Sequence, residues 1–292
     1  EFRRVLFRSA SASIGQTHRG ELDDGSPVII KVQKPHAADL VRTDIKILEA
    51  LVRPAHRLYP RLGLLRMFQD FRDAALREID YREEVKNIAR FRSNYRRLLR
   101  SSDVLFPRTF PDLCTERVIV MEPMRGKNLA ELQSSDGHAR EIASKSLAAV
   151  LEQIFDHGFF HADPHAGNLF FLEQGGHLGF IDLGLVGQLE PDDKQKFLKV
   201  LLAVLHRDRK RLARSLYELG TPGAGTTYER FETDIDRLLD EVRDTGLENL
   251  RIDQMVNKLL AIARANDFDI PNRYLMMVRS CLMIEGVAKS DR

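Results

Sequence analysis

The chain has 292 residues, more than the ~100 to 200 of an ordinary domain, so two lobes or one large helix-rich domain are expected. Its formal net charge is only +2, so no global positive field marks a nucleic-acid binder and no nucleic-acid partner is expected. The two cysteines, Cys114 and Cys281, lack metal-ligand spacing, which argues against a disulfide or a zinc site and indicates a reducing compartment. The sequence contains no run of ~18 apolar residues, so no membrane span is predicted.

Residues 1–9 are basic and apolar but lack the length and cleavage site of a signal peptide. We interpret them as a truncated or non-native leader without functional weight. A run of small residues follows, and two alternating segments, 17–22 and 28–33, predict a hairpin. Small residues let a backbone approach phosphates, although such runs are also typical of flexible linkers. The position before a hairpin favours a phosphate-covering loop, made of Ala12, Ser13, Ile14, Gly15 and Gln16.

The second strand of this hairpin, 28–33, carries a lysine among apolar residues. Its period of two places Val28, Ile30 and Val32 on one face and Lys31 on the other. A lone lysine there is most often a surface residue. The order Val-Ile-Ile-Lys, however, parallels the V-A-I-K strand whose lysine binds the α and β phosphates of ATP.

Such a lysine needs a carboxylate partner, and a long helical pattern over residues 68–99 offers one. Glu84 lies within an apolar stripe, where an unpaired carboxylate is costly, so we predict that it pairs with Lys31. Asp80 is expected one turn before Glu84 on the same side of the helix, and Glu78 close enough to join an acidic cluster. The alternative is an ordinary salt-bridged helix.

Two further strands are predicted, at 104–107 and 117–121, before residues 122–126 break the pattern. We expect a hinge between lobes at this break. Glu122 and Met124 are the residues predicted to present free backbone groups to an adenine edge. A helix over 141–157, rich in Ala, Leu and Ile, then leads to the central motif.

That motif is His161-Ala162-Asp163-Pro164-His165-Ala166-Gly167-Asn168, followed after a short predicted hairpin by Asp182-Leu183-Gly184. The first has the H-x-D-x-x-x-x-N spacing of a kinase catalytic loop, and the second stands where kinases carry D-F-G. A single Asp after a strand is usually a turn residue or a helix cap. Two motifs in the right order favour the kinase interpretation.

The chemistry explains these residue types. Phosphoryl transfer requires that negative charge be neutralised, and oxygen ligands suit magnesium, so Asn168 and Asp182 are the predicted metal ligands. Asp163 is predicted to accept the proton of the attacking hydroxyl or water. Strands at 169–172 and 178–181 would bring Asn168 and Asp182 to one metal ion.

The segment after Gly184 is short. It lacks an A-P-E motif, and residues 185–195 contain no Ser, Thr or Tyr, which disfavours ordinary protein kinase activity. From about residue 192 onward the pattern predicts helices, broken near 220–225, near Gly246 and before Pro271. Two basic clusters, at 207–214 and 90–100, are typical of solvated faces, with anionic membrane contact as the alternative.

Taken together, these motifs resemble the UbiB/AarF family of atypical kinase-like proteins over residues 10–288. The resemblance rests on four segments of the sequence: Ala12 to Gln16, Lys31-Val32-Gln33-Lys34-Pro35, Glu78-Ile79-Asp80-Tyr81 with Glu84 and Asn87, and His161 to Asn168. It implies an α+β, bilobal protein-kinase-like fold with an N-lobe at 10–121 and a mostly helical C-lobe at 122–292. It also implies that the protein binds ATP and Mg²⁺.

The family is associated with ubiquinone biosynthesis and isoprenoid-lipid metabolism. The resemblance therefore implies ATPase or small-molecule or lipid kinase activity, a membrane surface or prenyl-lipid precursors as partners, and contact with ubiquinone-biosynthesis proteins. It implies a cytoplasmic location, with membrane association of the full-length protein. Members carry an N-terminal K-x-G-Q extension that meets the residues matching Glu78 and Asp80, and bacterial members carry C-terminal membrane helices. We expect this chain to begin after that extension and to end before those helices.

Two other functions remain open at the level of sequence. One is an aminoglycoside- or choline-kinase-like phosphotransferase, which shares a similar H-x-D-x-x-x-x-N loop. The Ala/Ser loop and the Glu78-Ile79-Asp80 segment favour the UbiB/AarF resemblance over it. A nucleotide-sensing scaffold that performs no chemistry is the third. Ser11 and Ser13 depart slightly from the Ala-rich loop of the family.

Overall fold

The computed structural model describes residues 2–11, 14–59, 63–97, 103–131, 139–172, 175–223, 225–245 and 252–289. Backbone contacts divide the chain into two compact units. The first comprises 1–132 and 166–185, and the second 133–165 and 186–292. Helices and small sheets occur in both, so the predicted α+β class is confirmed. The predicted N-lobe and C-lobe instead meet after residue 121. This division into lobes stays a prediction.

The main sheet of the first unit has the strand order β1-β2-β3-β5 and is antiparallel throughout. Its strands are β1 (Phe2–Ser11), β2 (Gly15–Leu22), β3 (Pro27–Gln33) and β5 (Val118–Met121). The predicted hairpin is confirmed, and Gly25 occupies its turn at φ 85°, a conformation that glycine adopts without strain. Residues predicted to be a leader form β1 and pair with β2.

The two faces of β3 bury different clusters, as its alternation predicts. Val28 and Ile30 pack against Val120 on one face. Ile29 packs against Tyr81 on the other, which is also the face of Lys31. The sheet therefore directs Lys31 towards the helices of the first unit.

Three helices follow in the first unit: α1 (Ala37–Leu58), α2 (Leu64–Glu78) and α3 (Tyr81–Arg97). The prediction of one continuous helix over 68–99 was wrong, because the chain breaks at Ile79 and Asp80. The Gln33 amide donates a hydrogen bond of 2.6 Å to the Ile79 carbonyl, and the Tyr81 N–H donates to the Glu116 carbonyl at 3.0 Å. These bonds to other segments replace intrahelical ones and permit the break.

Asp80 was predicted to lie one turn before Glu84 in the same helix. It instead precedes α3. Its carboxylate accepts hydrogen bonds from the backbone N–H of Arg82 at 3.1 Å and from the Arg82 guanidinium at 2.9 and 2.8 Å. A side-chain oxygen that accepts an N–H of the first turn is the usual way to begin a helix. Asp80 thus places the start of α3, and with it Glu84.

A second sheet in the first unit has the order β4-β9-β8-β6. Its strands are β4 (Val104–Leu105), β6 (Lys127–Asn128), β8 (Leu169–Leu172) and β9 (His177–Phe180). The predicted hairpin of β8 and β9 is confirmed. Phe106 stacks between Phe91 of α3 and Phe180 of β9, with ring centroids 5.0 and 5.6 Å away, so this sheet packs against α3.

The second unit is mostly helical. It contains α4 (Ala139–Glu152), β7 (Phe159–His161), β10 (Val186–Gln188), α5 (Pro191–Leu205), α6 (Arg209–Leu219), β11 (Thr221–Pro222), α7 (Tyr228–Thr245), α8 (Ile252–Ala265), β12 (Phe268–Asp269) and α9 (Asn272–Lys289). α5 begins at Pro191, next to residue 192 where helices were predicted to begin, and Glu190 and Asp193 form a capping box there. The predicted break near Gly246 lies outside the described residues.

A core inside the second unit joins α6, α7, α8 and β12. Its buried members are Ala213, Phe231, Ile235, Ala263 and Phe268. In the described part of the chain, we found no helix with both the length and the apolar character needed to span a bilayer.

Candidate active site

The central feature of the site is one lysine between two carboxylates. The Nζ of Lys31 donates to Glu84 Oε1 at 3.0 Å, to Glu84 Oε2 at 2.8 Å and to Asp182 Oδ1 at 2.8 Å. It also lies 5.2 Å from the centre of the Tyr81 ring. The predicted ion pair between Lys31 and Glu84 is therefore present, and Asp182 completes a cluster of three charged groups within the first unit.

Local structure explains why these side chains meet. Lys31 extends from the inner strand β3, which pairs with β2 and β5, so its backbone position is fixed on both sides. Glu84 lies in the first turn of α3, where the helix dipole favours a negative charge. Glu84 is only 4% exposed, so its carboxylate depends on Lys31 for compensation.

Burial and charge act in opposite directions on Lys31. Burial alone would lower the pKa of Lys31, but the Glu84 and Asp182 carboxylates outweigh it and raise that pKa above its usual value. Burial also raises the pKa of Glu84, and Lys31 opposes this rise only in part. The cluster therefore binds its protons more tightly than the separate groups do.

Asp182 adopts an unusual backbone conformation. Its φ is 54°, in the left-handed region that residues other than glycine rarely occupy. Its carboxylate contacts Lys31, and the next residue is fixed because Asn87 Nδ2 donates to the Leu183 carbonyl at 2.9 Å. Strained backbone of this kind persists where neighbouring contacts over-determine it, which is typical of functional sites. The Asp182 side chain is 46% exposed and accessible to a ligand.

The two predicted metal ligands flank the hairpin of β8 and β9. The Ile181 N–H donates to the Asn168 carbonyl at 3.0 Å, which brings both ends of the hairpin together next to Asp182. On the other side, Asn128 Nδ2 donates to the Gly167 carbonyl at 2.7 Å and fixes the approach to Asn168. Amide and carboxylate oxygens are the ligands that magnesium prefers. The residues present therefore fit this ion.

No group of three or more His, Cys, Asp or Glu side chains that could bind a metal exists among the described residues. Magnesium commonly uses one or two protein oxygens and completes its coordination with substrate phosphates and water. A pair such as Asn168 and Asp182 is what a nucleotide-dependent ion requires. Their role as metal ligands stays a prediction.

The predicted phosphate-covering loop is described from Ile14 onward, whereas Ala12 and Ser13 lie outside the described residues. A Cβ atom at Gly15 would collide with the Tyr81 hydroxyl. Glycine is therefore required where β2 begins, because the backbone passes directly over this ring. Ile14 joins Lys31 and Tyr81 in the wall of a cavity of about 80 Å³, whose other lining residues are Arg77, Glu78, Asp80, Glu84, Asp182 and Gly184.

The predicted hinge residues differ from expectation in one respect. The Glu122 N–H donates to the Arg108 carbonyl at 2.8 Å, and the Glu122 carboxylate accepts the Arg108 N–H at 2.7 Å. Glu122 was predicted to present free backbone groups to an adenine edge. Its N–H is not free, because it donates to the neighbouring Arg108. The Met124 side chain packs against Gly179 of β9. The nucleotide-binding roles of Glu122, Met124 and Gln16 stay predictions.

Asp163 belongs to the second unit, in a loop that begins at the end of β7. Its N–H donates to His161 Nδ1 at 3.2 Å, and its carbonyl accepts the His165 N–H at 2.9 Å. The accepting Nδ1 must be unprotonated, so a neutral His161 carries its proton on Nε2. Arg279 Nη2 donates to Asp163 Oδ1 at 3.2 Å. The role of Asp163 as base stays a prediction.

The structure thus joins Lys31, Glu84 and Asp182, and it orders the loop around Asp163 within the second unit. Sequence reasoning missed the contacts of Arg279 and Ser280 with that loop. Arg279 is 116 residues from Asp163, and no periodic or motif signal connects them. It also missed that Gln33 fixes the helix break, although Gln33 lies on the same strand face as Lys31.

The fold and the Lys31, Glu84 and Asp182 cluster define a protein of the kinase-like class. The chain belongs to the ABC1 atypical kinase-like domain family, whose sequence pattern matches residues 8–216, and residues 235–290 match the UbiB helical domain. The resemblance stated from sequence is confirmed.

Curated relatives support this assignment. A protein of Clostridium pasteurianum from the hydrogenase 1 5′ region is 30% identical over 95% of this chain and 52% of its own length. The protein named "probable protein kinase UbiB" of Aeromonas hydrophila is 29% identical over 96% of this chain and 53% of its own length. The chain spans about half the length of these two relatives.

A solved structure shows the same fold. Rv3197 of Mycobacterium tuberculosis, determined in complex with erythromycin, superposes with a TM-score of 0.68 at 20% identity. The match covers 98% of this chain and 73% of that one. The predicted kinase-like fold is therefore confirmed.

Proposed function

We propose that the chain binds ATP with Mg²⁺ and catalyses ATP hydrolysis or phosphoryl transfer to a small molecule or lipid. The observation that carries the proposal is the position of Lys31 Nζ, within 3.0 Å of both Glu84 and Asp182. In kinases the same three residue types orient the phosphates and attach the metal to them. The family membership and the kinase-named relatives support the same reaction class.

Each residue has a role that its surroundings support. Lys31 would bind the α and β phosphates while Glu84 keeps its ammonium group in place. Asn168 and Asp182 would bind magnesium, which neutralises the charge of the phosphates when it is bound. Asp163 would accept the proton of the attacking hydroxyl or water.

The contact between Lys31 and Asp182 would have to change when nucleotide and magnesium bind. Asp182 Oδ1 accepts a hydrogen bond from Lys31 at 2.8 Å, whereas its role as a metal ligand requires that carboxylate. Because the Asp182 side chain is 46% exposed, a ligand can replace Lys31 as its partner. When the nucleotide binds, a phosphate would replace Asp182 as a partner of Lys31. Magnesium would replace Lys31 as the partner of Asp182.

For the acceptor we propose a small molecule or lipid of ubiquinone or isoprenoid metabolism, as the family resemblance implies. The short segment after Gly184, which lacks a phosphorylatable side chain up to residue 195, supports a non-protein acceptor. The chain would act in the cytoplasm, with the full-length protein on a membrane and near ubiquinone-biosynthesis proteins.

One basic cluster supports membrane contact in part. Arg209 is engaged internally, since it donates to Asp240 at 2.8 Å and pairs with Asp236 at 3.3 Å. Arg211 and Arg214 of this cluster, together with Lys199, line a cleft of about 290 Å³ in α5 and α6. Each of the three also pairs with a nearby carboxylate, of Asp208 or Glu218. Lysine and arginine side chains near a surface favour anionic lipid.

The experiment is ADP release with magnesium and ATP, measured with and without anionic liposomes and phenolic lipid precursors. The proposal predicts magnesium-dependent release that falls at least ~100-fold in Asp163→Asn, the usual contribution of a general base. ATP binding without turnover would instead favour the nucleotide-sensing scaffold. Unchanged turnover in Asp163→Asn would remove this residue from the base role. Transfer to an aminoglycoside or choline would favour that class of small-molecule kinase.

A further inference from the structure

Two neighbouring side chains of α9 contact the loop that carries Asp163. Ser280 Oγ donates to the His161 carbonyl at 2.7 Å, and Arg279 Nη2 donates to Asp163 Oδ1 at 3.2 Å. Both residues lie in the segment that matches the UbiB helical domain, more than 100 positions after the loop. The loop and this helix belong to the same unit of the structure.

The contact made by Ser280 is buried. The Ser280 side chain is 0% exposed, and the His161 N–H is bonded in turn by Gln153 Oε1 at 3.0 Å. One side chain eight residues before His161 and one 119 residues after it therefore satisfy both of its backbone polar groups. A buried carbonyl that loses its donor is destabilising, so the position of α9 along the loop is well determined.

The contact made by Arg279 is of another kind. The Arg279 and Asp163 side chains are 58% and 30% exposed, and an exposed ion pair contributes little to folding stability. A hydrogen bond between a guanidinium and a carboxylate nevertheless fixes the direction of both groups. Because Ser280 determines where α9 lies, Arg279 approaches the carboxylate from a defined side.

We propose that Arg279 and Ser280 are positioning residues for Asp163, so that the UbiB helical segment forms part of the catalytic centre. The inference rests on the proposed function. Phosphoryl transfer requires little covalent assistance and depends on the placement of its groups, so a misplaced carboxylate lowers the rate strongly. Arg279 orients the carboxylate, and Ser280 holds the backbone from which Asp163 extends.

The chain offers a matched control on the same helix. Arg273 pairs with the buried carboxylate of Asp193, at the start of α5, at 2.9 Å. Arg273→Gln removes one positive charge from α9, as Arg279→Gln does. A purely structural effect of α9 would therefore appear in both variants.

The first measurement is steady-state ADP release by the 292-residue chain and its variants. Arg279→Gln and Ser280→Ala should lower kcat about 10- to 100-fold while KM for ATP changes less than about two-fold, since the nucleotide contacts lie elsewhere. Arg279→Lys, which keeps the charge, should recover part of the loss. Arg273→Gln should lower the melting temperature and leave kcat within about two-fold. Equal kcat in wild type and Arg279→Gln overturns the inference and leaves the proposed function intact.

The second measurement does not depend on turnover. Hydrogen–deuterium exchange of a peptide covering residues 159–168 should be faster in Ser280→Ala and Arg279→Gln and unchanged in Arg273→Gln. Unchanged exchange in all three variants overturns the inference. Absence of ADP release from the wild-type chain, together with faster exchange in the first two variants, overturns the proposed function and retains the structural link between α9 and the loop.

Discussion

The Nζ of Lys31 and the Oδ1 of Asp182 lie 2.8 Å apart, although 151 positions separate the two residues in the chain. Lys31 is also bonded to the buried Glu84, so one cation serves two carboxylates. With all three groups ionised, their charges of +1, −1 and −1 sum to −1. A second cation beside Asp182 would balance the cluster, which is the electrostatic reason to expect a metal ion there.

The pairing of Lys31 with Glu84 can be tested by removing the cation. Lys31→Met should lower the free energy of unfolding by about 3 to 5 kcal/mol, because a buried carboxylate loses its partner. Urea unfolding at pH 7 measures this loss. Adding Glu84→Gln should restore most of it, since no uncompensated charge remains.

The same pair predicts a pH dependence. Burial raises the pKa of Glu84 in the folded chain, so its contribution to stability is present at low pH and is lost as pH rises through the folded pKa. Lys31→Met should strengthen this trend, because it removes the group that opposes the rise. A destabilisation that does not grow between pH 5 and pH 8 would contradict the assignment. Glu83→Gln is the control, because the exposed pair of Glu83 with Lys86 at 2.6 Å should contribute less than about 1 kcal/mol.

Gly15 predicts a steric coupling with Tyr81. Gly15→Ala should destabilise the chain by about 1 to 3 kcal/mol, because the new Cβ meets the Tyr81 hydroxyl. That hydroxyl is buried and makes no hydrogen bond within the described residues, so Tyr81→Phe alone should be neutral or slightly stabilising. In the double variant the phenylalanine should recover much of the loss.

Gly25 provides the control for this cycle. A Cβ at Gly25 would meet nothing within 4 Å, but its φ of +85° strains other residues, so Gly25→Ala should also destabilise. Tyr81→Phe should not rescue it. Melting temperatures of the three single and two double variants check the coupling, and equal rescue at both glycines would show that the hydroxyl is irrelevant.

The contribution of Asp193 to the stability of the second unit should be lost in acid. Burial would raise the pKa of Asp193, but hydrogen bonds from Tyr274 at 2.8 Å and from the Glu190 N–H at 3.0 Å, with Arg273 nearby, lower it overall. Its contribution to stability is therefore present above the unfolded pKa of about 3.9 and is lost as pH falls through the folded pKa.

Asp193→Asn should accordingly cost about 2 kcal/mol at pH 7 and much less near pH 2. Urea unfolding at both pH values measures the difference. Asp192→Asn is the matched control, because its exposed pair with Lys196 should contribute less than about 1 kcal/mol at either pH. A cost for Asp193→Asn that is equal at both pH values would contradict the prediction.

Local signals predicted much of this structure. The alternation in β3 identified the face of Lys31, and the apolar stripe of α3 identified Glu84 as its partner. The alternation over 169–172 and 178–181 predicted the hairpin of β8 and β9, which carries Asn168 before its first strand and Asp182 after its second. Each signal depends on residues close in sequence or on a periodicity of the element itself.

Contacts between distant segments were not predictable in this way. The break before α3 depends on the Gln33 amide, 46 residues from Ile79, and helical periodicity continues across it. The basic cluster at 207–214 gave no sign that Arg209 is bonded to Asp240 in another helix. Arg279 meets Asp163 because the chain returns to this loop in α9, after α5, α6, α7 and α8.

The most direct test of the central claim is a magnesium titration of ADP release, comparing the wild-type chain with Asp182→Asn. Asp112→Asn, on an exposed carboxylate remote in sequence, serves as the matched control. Asp182→Asn should lower the maximal rate at least ~100-fold and raise the magnesium concentration needed for half of that rate. Asp112→Asn should behave like wild type. The same rate and the same magnesium dependence in Asp182→Asn and wild type would contradict the claim.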